Sequence, residues 1–370
     1  MMSSDTTIRF GIIGAVKRGS SFVRALRAHP QAELVALCDI QEEKLREAAA
    51  ELQIGLTFAS DQAMLESGEI DAVIVATPMP LHVPQSVMAL ELDIHVLSEV
   101  PAGVSYEQCR ELVRAAKGSP ATYMMAENYT YMRPNVIVKE IARRGLFGEM
   151  YFAEGAYIHE LKGLNEITTW RRRWQTGVNG NTYPTHSLGP VLQWMGERVV
   201  SVMSAGTGHH YVDPRGDRYE LEDTVETLCR LSGGGLARIR LDMLSDRPHN
   251  MTWYALQGTD GAYEAGRSKA EQGQIWLRSR SEEPEWEPLE DLAEQFLPEA
   301  WLNPPEEAQR AGHGGGDYWE IHDFVDAIAT GGKPPIGIHE AMDMTLPGLA
   351  SQQSIAEHGQ WVAVEDSRSW

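Results

Sequence analysis

Between Ile8 and Met125 six short apolar runs alternate with segments of helical spacing, and this alternation limits the N-terminal third of the chain to one kind of architecture. The runs are Ile8–Ile13, Leu34–Cys38, Leu56–Ala59, Ala72–Ala76, His95–Ser98 and Thr122–Met125. Phe22, Val23 and Leu26, and the stretch Val104–Ala116, repeat with the period of a helix. Strands too apolar to have a wet face, separated by helices, stack as βαβ units in a parallel sheet covered on both sides. The expectation is an α/β chain whose residues 1–126 form a Rossmann domain.

The pattern changes after Glu127. A helix over Pro134–Gly145 precedes a run at Met150–His159. Then come Val199–Gly206, Thr224–Leu231, Leu236–Leu244, Met251–Gly258 and Gly273–Arg278, with turn signals at Ser232–Gly235 and Gly258–Gly261. This reads as a β-meander, so residues 127–370 are expected to form a second α/β domain on an open, mostly antiparallel sheet. The acidic, Pro- and Trp-containing stretch Glu282–Ala311 reads as a long loop. Helices near Tyr318–Ala329 and His339–His358 close the chain. A length of 370 residues suits about two domains.

A net charge of −21 argues against nucleic acid and against an anionic membrane surface. No apolar run is long enough to cross a bilayer, and Met1–Thr7 lacks the basic stretch of a secretory signal, so a cytoplasmic protein is expected. Cys38, Cys109 and Cys229 form no CxxC pair and read as isolated core thiols.

The first strand runs into Gly14-Ala15-Val16-Lys17-Arg18-Gly19. A dinucleotide-binding turn needs one glycine for the tight turn, one where the pyrophosphate approaches, and one for helix packing. Gly14 and Gly19 fit the first and third places; Val16 occupies the second, where a side chain crowds the pyrophosphate. Asp39 ends the second strand, 25 residues after Gly14. A carboxylate there accepts both ribose hydroxyls and repels a 2′-phosphate, which favours NAD over NADP. Its bland alternative is a helix N-cap. Thr77, Pro78 and His82 follow the fourth strand and Glu99-Val100-Pro101 the fifth, at the carboxyl edge where such sheets bind ligands.

These residues resemble the Gfo/Idh/MocA oxidoreductases, which pair a Rossmann domain with an α/β domain on an open sheet. Most members carry Glu-Lys-Pro at the fifth strand end, with the lysine assisting proton transfer; Val100 replaces it here. The C-terminal half further resembles the NAD-dependent α-N-acetylgalactosaminidases of glycoside hydrolase family 109. The resemblance rests on Glu127-Asn128, Gly155–Leu161, Trp170-Arg171, Asn179–Pro190 with its Tyr-Pro-Thr-His core, and Gly312-His313-Gly314-Gly315. One departure is His249, which stands where that group has a tyrosine near the sugar. The resemblance implies bound, recycled NAD. Hydride leaves carbon 3 of a sugar, a base removes the proton at carbon 2, the aglycone is eliminated, water adds, and hydride returns. It also implies a homo-oligomer built through the open sheet.

That chemistry needs an acid/base more than the carboxylate pair of an ordinary glycosidase. Tyr183 and His186 are three apart and face one way if a helix has begun by Tyr183. A histidine titrates near neutrality, so His186 is the first candidate for proton transfer. Tyr157 and His159 alternate on a strand and share a face, so they join the catalytic candidates. Arg171 and Trp170 are candidates for orienting substrate, together with His249, His313 and Glu127; Glu127 sits where it also reaches the nicotinamide ribose. The glycine-rich stretch 312–316 lacks the Lys-Ser/Thr ending of a phosphate loop and reads as a lid or hinge. His209-His210 lack partner carboxylates at ligand spacing, so no metal site is expected. The expected function is an NAD-dependent enzyme acting on a sugar or glycoside. The redox-neutral glycosidase is the leading form and a simple sugar or polyol dehydrogenase the alternative.

Overall fold

A computed structural model describes residues 7–370 except 249 and 269. The chain divides into two compact units. The first comprises Met1–Tyr131, Pro305–Met342 and Ser367–Trp370; the second comprises Met132–Pro304 and Asp343–Asp366. The division is therefore not one cut near residue 126, because a C-terminal segment returns to the N-terminal unit. The reason is packing: the helix Gly316–Thr330 brings Phe324 edge-on against Phe10, with ring centroids 6.2 Å apart, and both rings are fully buried.

The first unit is built on strands β1 (Ile8–Ile13), β2 (Ala32–Cys38), β3 (Leu56–Phe58), β4 (Ala72–Val75), β5 (His95–Ser98) and β6 (Tyr123–Met125). They form one parallel sheet in the order β3-β2-β1-β4-β5-β6. Ile12, Ile74 and Leu97 are fully buried at its centre, as doubly covered strands require. The order reverses between β1 and β4, the switch point at which such sheets bind ligands. The helix expected from Val104 begins at Tyr106, because the Ser105 side chain caps it by accepting the Gln108 N–H at 3.2 Å.

The second unit carries β7 (Met150–Ile158), β8 (Val199–Gly206), β9 (Thr224–Leu231), β10 (Leu236–Asp242), β11 (Thr252–Gly258), β12 (Gly261–Glu264), β13 (Gln274–Leu277), β14 (Glu287–Pro288) and β15 (Val362–Ala363). The sheet order is β14-β13-β12-β11-β7-β10-β9-β8-β15. It is mostly antiparallel, but it is not the plain meander expected: β7 inserts between β10 and β11 and runs parallel to β10. The stretch 282–311 is likewise not one loop. It holds β14 and short helices at Ala293–Phe296, Glu299–Leu302 and Glu306–Arg310. Pro298 and Pro305 precede the last two of these, and a proline is tolerated at a helix start but cannot continue the helix before it, so Ala293–Phe296 and Glu299–Leu302 stay short.

One face of this sheet receives the helix Thr185–Met195. A Cβ on Gly155 of β7 would overlap the Ser187 backbone oxygen, so only glycine lets the helix lie so close. The opposite face bears Glu154, Ala156, Arg238, Arg240 and Trp253 around a hollow of about 220 Å³. No described helix is long and apolar enough to cross a membrane.

Three histidines of the first unit set an acid limit on its stability. His29 and His95 accept backbone N–H bonds at Nδ1, from Gln31 at 3.2 Å and Thr122 at 2.8 Å. His82 is 1% exposed. Burial pushes all three below the ordinary histidine value. The folded state then binds fewer protons than the unfolded chain below about pH 6.5. Stability is expected to be full above that pH and to fall as pH drops through it, by up to about 1.4 kcal/mol per pH unit for each histidine still neutral. Melting curves between pH 7.5 and 5.5 check this, and His95→Gln should flatten the slope.

Candidate functional site

The cofactor side is assembled at the carboxyl edge of the parallel sheet. Gly14 has φ +84°, and a Cβ there would sit 2.5 Å from the Ala76 oxygen. A Cβ on Gly19 would sit 2.5 Å from Ile12 Cγ2 and 2.7 Å from the Gly14 oxygen. The loop therefore requires glycine at both places. The Val16 N–H donates to Asp39 Oδ2 at 3.1 Å, and the Gln41 N–H to Asp39 Oδ1 at 2.9 Å. Gln41 Nε2 also donates to Oδ1, at 3.4 Å, so Asp39 braces the glycine loop through Oδ2 and caps the turn after β2 through Oδ1. The cradle, the close glycines and the acid at the second strand end fit a dinucleotide.

NAD(H) is expected to bind more tightly than NADP(H) by about tenfold or more, since about 1.4 kcal/mol of repulsion at close range suffices. Asp39→Asn should erase the preference and also weaken NAD, because the loop loses bonds to a charged acceptor worth about 1.5–3 kcal/mol each. Titration of both cofactors against both proteins measures this; equal affinities in the unaltered chain would remove Asp39 from the ribose.

The remaining cofactor candidates are held mainly by neighbouring groups of the same unit. Pro78 opens a single turn, Met79–Leu81. The Thr77 hydroxyl donates to Gln85 Oε1 at 2.6 Å. His82 lies between two carbonyls, with Nε2 2.9 Å from Thr77 O and Nδ1 2.9 Å from Pro101 O, so it ties the β4 loop to the β5 loop. Glu127 is fully buried and accepts the Tyr129 N–H at 3.2 Å. Glu99 pairs with Arg18 of the glycine loop.

Arg18 was not singled out by its sequence context. Its guanidinium makes a bidentate pair with Asp317, at 2.9 and 3.0 Å. Asp317 also receives Asn128 Nδ2 at 2.9 Å and lies 3.0 Å from His313 Nδ1. Burial alone would raise this carboxyl, but hydrogen bonds from His313 and Arg18 hold it well below the usual carboxylate range. Gly312 is required here, since a Cβ would strike Asp317 Oδ2. Close by, Glu320 is fully buried, and burial with the charge of Asp317 pushes it well above the usual value despite Arg18.

In the second unit the four catalytic candidates form one aromatic cluster. The Tyr157 hydroxyl lies 2.8 Å from His159 Nδ1. The Tyr157 ring stacks on Tyr183 at 5.6 Å and meets His186 edge-on at 4.8 Å; Tyr183 and His186 are 5.0 Å apart. Tyr183 precedes the helix, which starts at Thr185, but Pro184 already has helical angles and directs both side chains together. Pro190 lies four residues after His186 and supplies no N–H to its carbonyl. The Tyr254 hydroxyl of β11 donates to that carbonyl instead and fixes the backbone of His186. Tyr254 is a second residue missed from sequence; the proline at i+4 was the available signal.

Arg171 donates to Thr168 Oγ1 at 3.0 Å and Gln175 Oε1 at 2.6 Å, and its guanidinium stacks over Trp170 at 4.5 Å. No carboxylate pairs with it among the described residues, whereas its neighbour Arg172 is held by Glu166 and Asp213. His249 lies outside the described residues. His210 pairs with Asp223 at 2.7 Å. Among the described residues His29, His322 and Asp326 bring potential ligand atoms within 4.8 Å of one another. The Gln31 N–H bonded to His29 Nδ1 places the ring proton on Nε2, facing Asp326 at 3.6 Å, which suits a hydrogen-bonded pair better than a metal ligand.

Residues 131–369 match the family model described as glycosyl hydrolase 109, C-terminal domain, and residues 8–127 that described as oxidoreductase family, NAD-binding Rossmann fold. A glycosyl hydrolase family 109 protein of Saccharopolyspora erythraea is 29% identical over 97% of this chain and 83% of its own. Another, from Streptomyces filamentosus, is 30% identical over 98% of this chain and 77% of its own. Among solved structures, a levoglucosan dehydrogenase in complex with NADH superposes with a TM-score of 0.83. It covers 98% of this chain and 100% of its own at 19% identity, which is a likeness of fold.

Proposed function

The chain belongs to glycosyl hydrolase family 109, with an NAD-binding Rossmann domain of the Gfo/Idh/MocA type at its N-terminus, and we propose that it is a redox-neutral glycosidase. The observation that carries this reading is the Tyr157–His159–Tyr183–His186 cluster in the family 109 domain. NAD, when bound, takes two electrons and a hydrogen from carbon 3 of the sugar and later returns them. Gly14, Gly19 and Asp39 would hold it, and Val16, Thr77, Pro78, Glu99 and Glu127 would line its site. His186 removes the proton at carbon 2, which the neighbouring ketone acidifies, and Tyr183 assists. Tyr157 and His159 share a proton next to the leaving group. Arg171, with Trp170 behind it, orients sugar hydroxyls.

A second reading, a simple sugar dehydrogenase, draws on the fold shared with a levoglucosan dehydrogenase. One assay separates the two: 4-nitrophenyl glycosides, including N-acetyl sugars, with catalytic NAD in deuterated buffer, followed by NMR. Aglycone release with deuterium at carbon 2 and no net NADH supports the glycosidase. Stoichiometric NADH without either rules for the dehydrogenase. Pairing of two copies through the Trp253 face of the open sheet is part of the same reading, and sedimentation measures it.

A further inference from the structure

We propose that His313, held by Asp317, is the catalytic base that takes the hydroxyl proton when the sugar is oxidised. This rests on the reading above only as far as its first step, NAD-dependent oxidation of a sugar hydroxyl. That step needs two receivers, because the carbon loses a hydrogen with its electron pair while the O–H bond breaks to leave a proton. Val100 stands at the fifth strand end and can hold no proton.

The dyad is carried over the carboxyl edge of the parallel sheet. Asp317 is bonded to Asn128, just after β6, and to Arg18, just after β1, and Arg18 also holds Glu99, just after β5. Asp317 is 1% exposed and ionised, so it can only accept. Asn128 Nδ2 also lies 3.1 Å from His313 Nδ1, but that amide donates to Asp317 Oδ1 at 2.9 Å, whereas the carboxylate can only accept, so the 3.0 Å contact with Asp317 places the His313 proton on Nδ1. The Nε2 lone pair is then free, and it has no partner among the described residues. His313 is itself 35% exposed, so that lone pair is reachable. Its backbone is held at φ +53° and continues into Gly314 at +64° and Gly315 at +97°. Such left-handed runs persist only where the surroundings enforce them.

Among the described residues, the other titratable groups of that edge are engaged in ways that do not suit a base. Both Asp39 oxygens hold backbone amides, and both His82 nitrogens face carbonyls. Glu99 is paired with Arg18, and Glu127 is fully buried. Lys17 of the glycine loop is exposed but offers donors only. Among the described residues of that edge, His313 alone combines an outward lone pair with a buried acid behind it, the arrangement that lets an imidazole take a proton and be stabilised as imidazolium. The O–H bond breaks, the proton joins Nε2, the carbon–oxygen double bond forms, and the same proton returns when the ketone is reduced again. Asp317 is a positioning residue: it sets the tautomer and the ring orientation.

The test uses the full-length protein. Long-range ¹⁵N–¹H correlation of the histidine rings at neutral pH should show His313 as the Nδ1–H tautomer, and Asp317→Asn should release it to a mixture. Single-turnover NADH formation is then followed at 340 nm with levoglucosan, myo-inositol and 4-nitrophenyl N-acetylglycosides. His313→Gln should slow it about 100-fold or more while NAD affinity, read by tryptophan fluorescence, is retained. Imidazole should rescue His313→Ala in a concentration-dependent way, which a merely structural role would not produce. An Nε2–H tautomer in the unaltered protein, or undiminished NADH formation in His313→Gln, overturns the proposal alone. Absence of NADH formation with every sugar overturns it together with the reading it rests on.

Discussion

His186→Ala is expected to lower turnover by about 100- to 10,000-fold while leaving NAD affinity intact. The retained affinity follows from where the residues lie, since Gly14, Gly19 and Asp39 belong to the first unit and His186 to the second. The loss follows from how tightly the ring is held. Tyr157 and Tyr183 meet it edge-on at 4.8 and 5.0 Å, and Tyr254 holds its backbone carbonyl. No neighbouring imidazole can swing into its place, because His159 is tied to the Tyr157 hydroxyl at 2.8 Å. The redox-neutral scheme adds a sharper demand. In deuterated buffer the unaltered enzyme should place deuterium at carbon 2, and His186→Ala should suppress that exchange at least as strongly as it suppresses aglycone release. Tyr183→Phe should give a smaller loss, as its hydroxyl only assists. Full exchange at carbon 2 in His186→Ala would move the base elsewhere in the cluster.

What was legible in the chain follows from how local each signal is. The inner strands of the parallel sheet are legible because burial on both faces makes a run such as Ala72–Val75 continuously apolar, whereas the edge strand Leu56–Phe58 has no buried residue and is marked mainly by its place in the alternation. The glycine loop and Asp39 were legible because Rossmann geometry fixes their spacing. For Asp39 the same position suits a ribose ligand or a cap, and the structure shows the cap: Oδ1 takes two donors from Gln41 and Oδ2 takes the Val16 N–H. The pairs Tyr157/His159 and Tyr183/His186 were each visible from short-range spacing. That the two pairs meet was not, since it depends on a helix lying directly on Gly155.

The misses share a cause. Arg18 finds Glu99 and Asp317 at 81 and 299 residues' separation, and no spacing rule reports such a partner. The parallel pairing of β7 with β10 is likewise a long-range choice, so a run of alternating strands read as a meander. The stretch 282–311 looked like one loop because each of its helices spans a single turn, below the length at which periodicity can be recognised.

The close approach at Gly155 makes the strongest stability prediction. Gly155 pairs with Tyr254 on one side and Ile239 on the other, at the middle of the sheet, so β7 cannot shift without breaking both ladders. Its added Cβ in Gly155→Ala would occupy the space of the Ser187 oxygen, which belongs to helix backbone and cannot rotate away. Overpacking of this kind costs about 3 kcal/mol where the neighbour is rigid. For a unit of this size that corresponds to a fall in Tm of roughly 6–12 °C. Relief by lifting the helix would carry His186 away from Tyr157, so activity at a permissive temperature should fall beyond what the lost stability explains. Gly163→Ala is the matched control. Gly163 lies in the helix Lys162–Ile167, and nothing stands within 4 Å of an added Cβ, so alanine should be neutral or stabilising by up to about 1 kcal/mol. Melting curves and initial rates on both variants decide the matter. If Gly155→Ala melts with Gly163→Ala and keeps full activity, the helix does not rest on β7 as described.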